Sequence, residues 1–125
     1  MEKVQRKTLK FKNKNLIIKI GQYFYNGNLA LTVYTQAGEP YSNITINLPG
    51  MLLDNNEGFI DSLAKSCGLE KELQKAGIIE EIYGSRKYNF GTYDMVLFNM
   101  EKLKEYDPEG FEKYQYDEET EEMEE

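Results

Sequence analysis

The chain has 125 residues, and its 15 basic and 22 acidic side chains give a formal net charge of −7 at pH 7. It contains no histidine and one cysteine, which excludes a Ser-His-Asp triad, a histidine-containing zinc site and a disulfide framework within the chain. The 40% of apolar residues suffice for the core of a single domain. Since no motif specifies a reaction, we expect a protein that is not an enzyme and has no cofactor.

The apolar stretches are short, and the longest of them, such as Met95–Phe98, stop at four residues. A membrane-spanning helix needs about 20 apolar residues, and a secretory signal needs an apolar run of roughly 7–15 residues. We therefore expect a cytoplasmic protein without membrane partners. The single Cys67 agrees with a reducing compartment.

Charge is distributed unevenly along the chain. Residues 1–20 hold seven basic groups and one acid, whereas residues 101–125 hold three basic groups and twelve acids. We expect a basic N-terminal arm or edge strand over residues 1–14, a single domain over residues 15–115, and an acidic C-terminal tail over residues 116–125. Because its carboxylates repel one another, such a tail is usually disordered when free.

The first half of the chain has the pattern of an antiparallel meander. Apolar residues alternate with polar ones, which predicts strands over Thr8–Lys12, Asn15–Phe24, Asn28–Thr35 and Tyr41–Leu48. Asn26-Gly27 is a strong hairpin turn because both residues tolerate positive φ. The residues expected to face the core are Leu16, Ile18, Ile20, Leu29, Leu31, Val33, Ile44, Ile46 and Leu48.

The middle of the chain favours helices. We predict one helix that begins at an Asn56 cap and ends before Gly68, with an apolar stripe formed by Phe59, Ile60, Leu63, Ala64 and Cys67. A second helix is predicted over Leu69–Ala76.

The last third of the chain returns to strands and then to helices. Strands are predicted over Ile78–Tyr83 and Tyr93–Phe98, with a polar loop between them over Gly84–Gly91. Asn99 caps a short helix, and Asp107-Pro108 has the pattern that starts a final one. The predicted fold is therefore α+β: an antiparallel sheet that begins with an N-terminal meander and is packed on one face by two or more short helices.

Several segments of the chain resemble a known family. They are Gly27–Leu31, Gly38–Tyr41, Ile44–Pro49 and Asn56–Asp61, within a resemblance that covers roughly residues 16–103. The family is a small uncharacterised one carried by bacterial plasmids, conjugative elements and phages. The sequence departs from it around Phe90-Gly91. The resemblance implies an accessory gene of a mobile genetic element and assigns no catalytic residues.

Small acidic proteins of such elements often act against host defence, some of them by imitating the charge of DNA. We therefore expect an accessory factor that inhibits a host or element-encoded protein with a basic surface. The polar face of the first sheet, or the loop over residues 84–93, would add specificity. The candidate contact residues are Asp117, Glu118, Glu119, Glu121 and Glu122.

Two alternatives remain open. The first is a nucleic-acid-binding or regulatory module, whose candidate residues are Lys3, Arg6, Lys7, Lys10, Lys12 and Lys14. The net negative charge makes nucleic acid the less favoured partner. The second is a small-molecule module that binds a signalling nucleotide, which requires a pocket with convergent polar groups.

Overall fold

The computed structural model describes residues 7–24, 26–51 and 53–123, and of residues 116–123 it describes the backbone alone. Over these residues, eight strands form two antiparallel sheets of four strands each, and four helices accompany them. The predicted α+β class and the N-terminal meander are confirmed.

The first sheet is the meander itself. It contains β1 (Leu9–Phe11), β2 (Lys14–Gln22), β3 (Leu29–Tyr34) and β4 (Pro40–Asn43), and these pair in chain order. The alternation predicted for β2 and β3 is confirmed, because every second side chain is buried where the pleat turns it inward. These buried side chains are Leu16, Ile18, Ile20, Leu29, Leu31 and Val33.

The second sheet has the strand order β5-β6-β8-β7. Its strands are β5 (Thr45–Ile46), β6 (Glu57–Ile60), β7 (Ile79–Tyr88) and β8 (Gly91–Phe98). β7 and β8 form a long antiparallel hairpin, and β8 pairs with β6 along its other edge. This places β7 at the free edge of the sheet.

The four helices are α1 (Ser62–Ser66), α2 (Leu69–Lys75), α3 (Met100–Tyr106) and α4 (Pro108–Met123). Asn99 caps α3 as predicted, because its Oδ1 accepts the Lys102 N–H at 3.1 Å. α4 runs across the boundary expected between the domain and the acidic tail. The backbone of residues 116–123 is thus helical.

The helix predicted to begin at Asn56 is wrong over its first turn, where the chain forms β6 instead. A Cβ added to Gly58 would lie 2.8 Å from Phe98 Cε2, so this glycine allows the Phe98 ring to cover the strand. The helix begins later, at Ser62, and Asp61 caps it because the Asp61 Oδ1 accepts the Leu63 N–H. As a result, Leu63 is 71% exposed and does not belong to the predicted apolar stripe.

The prediction of a polar loop over residues 84–91 is wrong as well. These residues continue the β7–β8 ladder out to a two-residue turn, where Asn89 has a φ of 53°. Their polar composition has a different cause, since β7 is exposed from Glu80 to Lys87. A strand whose side chains are exposed along its whole length does not alternate between apolar and polar residues, and this alternation is what identifies a strand in a sequence.

The single strand predicted over Tyr41–Leu48 is divided between the two sheets. At Ile44 the chain passes from β4 to β5. The next residue, Thr45, is buried although the alternation over Tyr41–Leu48 places it on the face opposite Ile44 and Ile46. Its hydroxyl oxygen accepts the Leu31 N–H at 3.0 Å, which replaces the backbone partner that a continuous β4 would supply. The same hydroxyl shares a hydrogen bond with Tyr23. This bond lowers the pKa of the Tyr23 hydroxyl less than burial raises it.

Candidate functional site

The acidic candidates Asp117, Glu118, Glu119, Glu121 and Glu122 all belong to the C-terminal half of α4. A helix rises by about 1.5 Å per residue, so five acids in these six positions give one carboxyl group per about 1.8 Å of helix axis. Duplex DNA has one phosphate charge per about 1.7 Å of its axis, with both strands counted. The acidic half of α4 therefore has nearly the axial charge density of duplex DNA.

The N-terminal half of α4 is fixed to the first sheet by Asp107, which is 4% exposed. Its Oδ1 accepts the Gly110 N–H at 3.1 Å and so caps the helix, as the sequence predicts. Its Oδ2 accepts the Ile20 N–H at 2.8 Å, at a point on β2 beyond the end of the shorter β1. The Asp107 carboxylate thus accepts one hydrogen bond from the first turn of α4 and another from a backbone amide at the edge of the first sheet.

A second attachment lies about two turns after Asp107, at Tyr114. Tyr114 is 4% exposed, and its hydroxyl donates to the Asn55 carbonyl oxygen at 2.7 Å. Phe111 packs against the hydrophobic core from the same helix. These two residues dock the first half of α4 on the domain. The acidic half of the helix therefore follows a stem whose position is fixed.

The basic candidates are only partly brought together. Lys3 and Arg6 lie outside the described residues. Lys10, Lys12 and Lys14 share the β1–β2 hairpin and are exposed, whereas the Lys7 ammonium group lies 3.4 Å from Glu105 Oε1 and 5.4 Å from the centre of the Tyr106 ring.

The hairpin lysines also contact aromatic rings of the domain. Lys12 Nζ lies 5.2 Å from the centre of the Phe11 ring, and Lys14 Nζ lies 5.9 Å from that of Tyr41. Such cation–π contacts occupy the ammonium groups without neutralising their charge. The hairpin is therefore a cluster of three exposed positive charges.

A group of charged residues that was not predicted lies where α1 and α2 meet β8. Glu70 is 5% exposed, and its Oε2 has no hydrogen-bond partner among the described residues. Asp94 faces the same region from β8, and Lys65 Nζ lies 3.0 Å from its Oδ2. The only sequence signal was the position of Asp94, which shares the inward face of β8 with Val96 and Phe98.

Burial, together with the hydrogen bond to Asp94 and the negative charge of that residue, raises the pKa of Glu70 to about 7. The Lys65 ammonium group opposes this shift only weakly, since it is itself half exposed. A hydrogen bond from Lys65 to Asp94 raises the pKa of the lysine. Glu70 and Asp94 together therefore hold one proton near neutral pH. The effect of this proton on the stability of the fold can be measured.

Three open cavities of about 260 to 290 Å³ are found among the described residues. One lies between β2 and α4, one beside β4 and the start of α1, and one at the β1–β2 hairpin. Small-molecule sites are usually about 300–1,000 Å³ and enclose most of the ligand. These cavities are slightly smaller than that range and are open to solvent, so the charged surfaces are the better candidates for binding.

Comparison with known protein families gives a match over most of the chain. Residues 17–117 match a family described as Domain of unknown function (DUF4313). This agrees with the resemblance to an uncharacterised family over roughly residues 16–103. No curated protein and no solved structure matches the chain. Among the described residues, no helix combines the length and the apolar character needed to cross a membrane.

Proposed function

We propose, for a chain that belongs to the DUF4313 family of domains of unknown function, that it binds a protein with a basic surface through the acidic half of α4. In this proposal it is a non-enzymatic accessory factor of a mobile genetic element. It occupies the nucleic-acid site of a host defence protein or of another nucleic-acid-binding protein. The axial charge density of residues 117–122, which is close to that of duplex DNA, carries the proposal.

Attachment of the helix to the domain supports the same role. A free acidic segment would lose conformational entropy when it became ordered on a partner. In this chain Asp107 and Tyr114 fix the first half of α4, and the acidic residues continue the same helix. The charges are therefore presented on a helix that is already formed, which lowers the cost of binding.

The proposal predicts that binding depends on where the acids lie and not on the net charge alone. We would immobilise the full chain, apply a nuclease-treated bacterial lysate, and elute with duplex DNA as a competitor. Replacement of Glu118, Glu119, Glu121 and Glu122 by glutamine should weaken capture of the DNA-displaced proteins at least about tenfold. Raising the salt concentration should release the same proteins, because exposed charges are screened.

The control neutralises four exposed glutamates elsewhere, and so changes the net charge by the same amount. These are Glu39, Glu101, Glu109 and Glu112, each replaced by glutamine. This variant should retain nearly the binding of the parent chain. Equal loss of binding in both variants would reduce the effect to net charge, and unchanged binding in the first variant would refute the role of α4.

The nucleic-acid-binding alternative is favoured by one observation, the three exposed lysines of the β1–β2 hairpin. It predicts that the full chain shifts labelled DNA or RNA in a gel. That shift should be lost when Lys10, Lys12 and Lys14 are replaced by glutamate, and it should persist in the variant lacking the acids of α4. No shift by the parent chain at low salt would exclude this alternative.

A further inference from the structure

β7 is the open edge of the second sheet. It lies outside β8 in the strand order, and its residues from Glu80 to Lys87 are all exposed. An edge strand of this length presents unpaired backbone N–H and C=O groups to which another strand can bind.

Large apolar side chains are concentrated on the same hairpin. Ile82 and Tyr83 are 37% and 39% exposed near the middle of β7, and Phe90 is fully exposed at the turn. The Tyr83 hydroxyl donates to Glu57 Oε2, so that the ring is held across the outer face of the sheet. Burial and this contact raise the pKa of Tyr83 to about 12. The hydroxyl therefore remains a hydrogen-bond donor at neutral pH.

The charges on either side of this apolar centre have opposite signs. Glu80 and Glu81 precede it, and Arg86 and Lys87 follow it. If a second β7 lies antiparallel to the first, the acids of each copy face the bases of the other. A two-fold axis through either Tyr83 or Gly84 places one acid directly opposite a base and the other acid diagonal to one, within the range at which cross-strand pairs interact.

We propose that β7 pairs with β7 of a second copy of this chain, antiparallel and about a two-fold axis at Tyr83 or Gly84. The two second sheets then join into one continuous sheet of eight strands. The contact is isologous, as a two-fold interface requires, because one surface serves both copies. This inference concerns a surface other than α4 and does not depend on the proposed function.

The order of the charges distinguishes this pairing from others. A parallel, in-register arrangement would set Glu80 and Glu81 beside their own copies, and like charges in such pairs are destabilising. Charges on an edge strand also discourage pairing with strands that lack the complementary order of charges. The order of the charges therefore favours the antiparallel pairing of two copies over the parallel one, and the oligomeric state tests this pairing directly.

Sedimentation of the full chain over a range of concentrations should give a reversible equilibrium between the 14.6 kDa monomer and a dimer. The double variant Glu80→Lys, Glu81→Lys should weaken the dimer at least about tenfold, because all facing charges become positive. Arg86→Glu with Lys87→Glu should weaken it to a similar extent. The variant with all four changes should dimerise within about threefold of the parent, since the opposite pairs are restored.

Two comparisons exclude a mere effect of net charge. Lys10→Glu with Lys19→Glu changes the net charge as much as the second variant does, at exposed positions of the first sheet, and should leave the dimer unchanged. The first variant lowers the net negative charge, so overall repulsion alone would predict a stronger dimer. A parent chain that is monomeric at every concentration would overturn the proposal, as would a fourfold variant that fails to dimerise.

Discussion

Replacement of Gly110 by alanine is expected to lower the free energy of unfolding by about 2–4 kcal/mol, because the new methyl group has no room. Its Cβ would overlap Asp107 Oδ2 and would lie 2.8 Å from the carbonyl oxygen of Ile20. The carboxylate would have to leave the Ile20 N–H and expose or orphan that buried donor. This result reverses the usual effect of alanine in a helix, which is stabilising by roughly 1 kcal/mol relative to glycine.

Urea denaturation of the two proteins measures this difference. Glu109→Ala is the matched control, since its residue is exposed in the same turn of α4, and it should change stability by less than about 1 kcal/mol. If Gly110→Ala proves as stable as the parent chain, the close approach of α4 to β2 is wrong.

Replacement of Glu70 by glutamine is expected to raise stability by about 1–3 kcal/mol at about pH 8, with little change at about pH 4. The pKa of Glu70 is raised from 4.5 to about 7 in the folded chain, so the folded state holds this proton more tightly than the unfolded state does. Between these two values a rise in pH deprotonates the unfolded state while the folded state keeps its proton, so folding must take up a proton and the stability of the parent chain falls. Glutamine has nearly the same shape and stays neutral, so that cost disappears.

Thermal or urea denaturation across this pH range tests the assignment. The parent chain should lose stability relative to Glu70→Gln as the pH rises from 4.5 to about 7, and the difference should level off above that range. Glu112→Gln, an exposed carboxylate on α4, serves as the control and should show no such divergence. A constant difference between parent and Glu70→Gln at every pH would contradict the assignment, because it would mean that the pKa of Glu70 is the same in the folded and unfolded states.

The meander could be predicted because its signal is local. At Leu16, Ile18 and Ile20 the two-residue period of the sequence coincides with the pleat. Helix caps could also be predicted where a single side chain determines the residue at which the helix begins, as Asn99 does for α3. These elements need no knowledge of what packs against them.

The errors arose where a distant residue decides the local structure. Phe59 and Ile60 fit a helical stripe as well as a strand, and Phe98, far along the chain, decides between them by packing over Gly58. Thr45 is buried because Leu31 has an N–H to satisfy, which no local period encodes. The pair of Glu70 and Asp94 likewise comes from two elements that only the tertiary structure brings together.

The bond from Ile20 to Asp107 has a consequence for hydrogen exchange. Most amides of a central strand donate to a neighbouring strand and exchange only when the sheet opens. The Ile20 amide donates instead to a side chain at the start of α4, so that undocking of the helix alone exposes it. Its protection factor should therefore follow the docking of the C-terminal helix, while the β2 amides that donate to β3 report on the opening of the sheet. A single backbone amide thus separates two opening events that global denaturation merges.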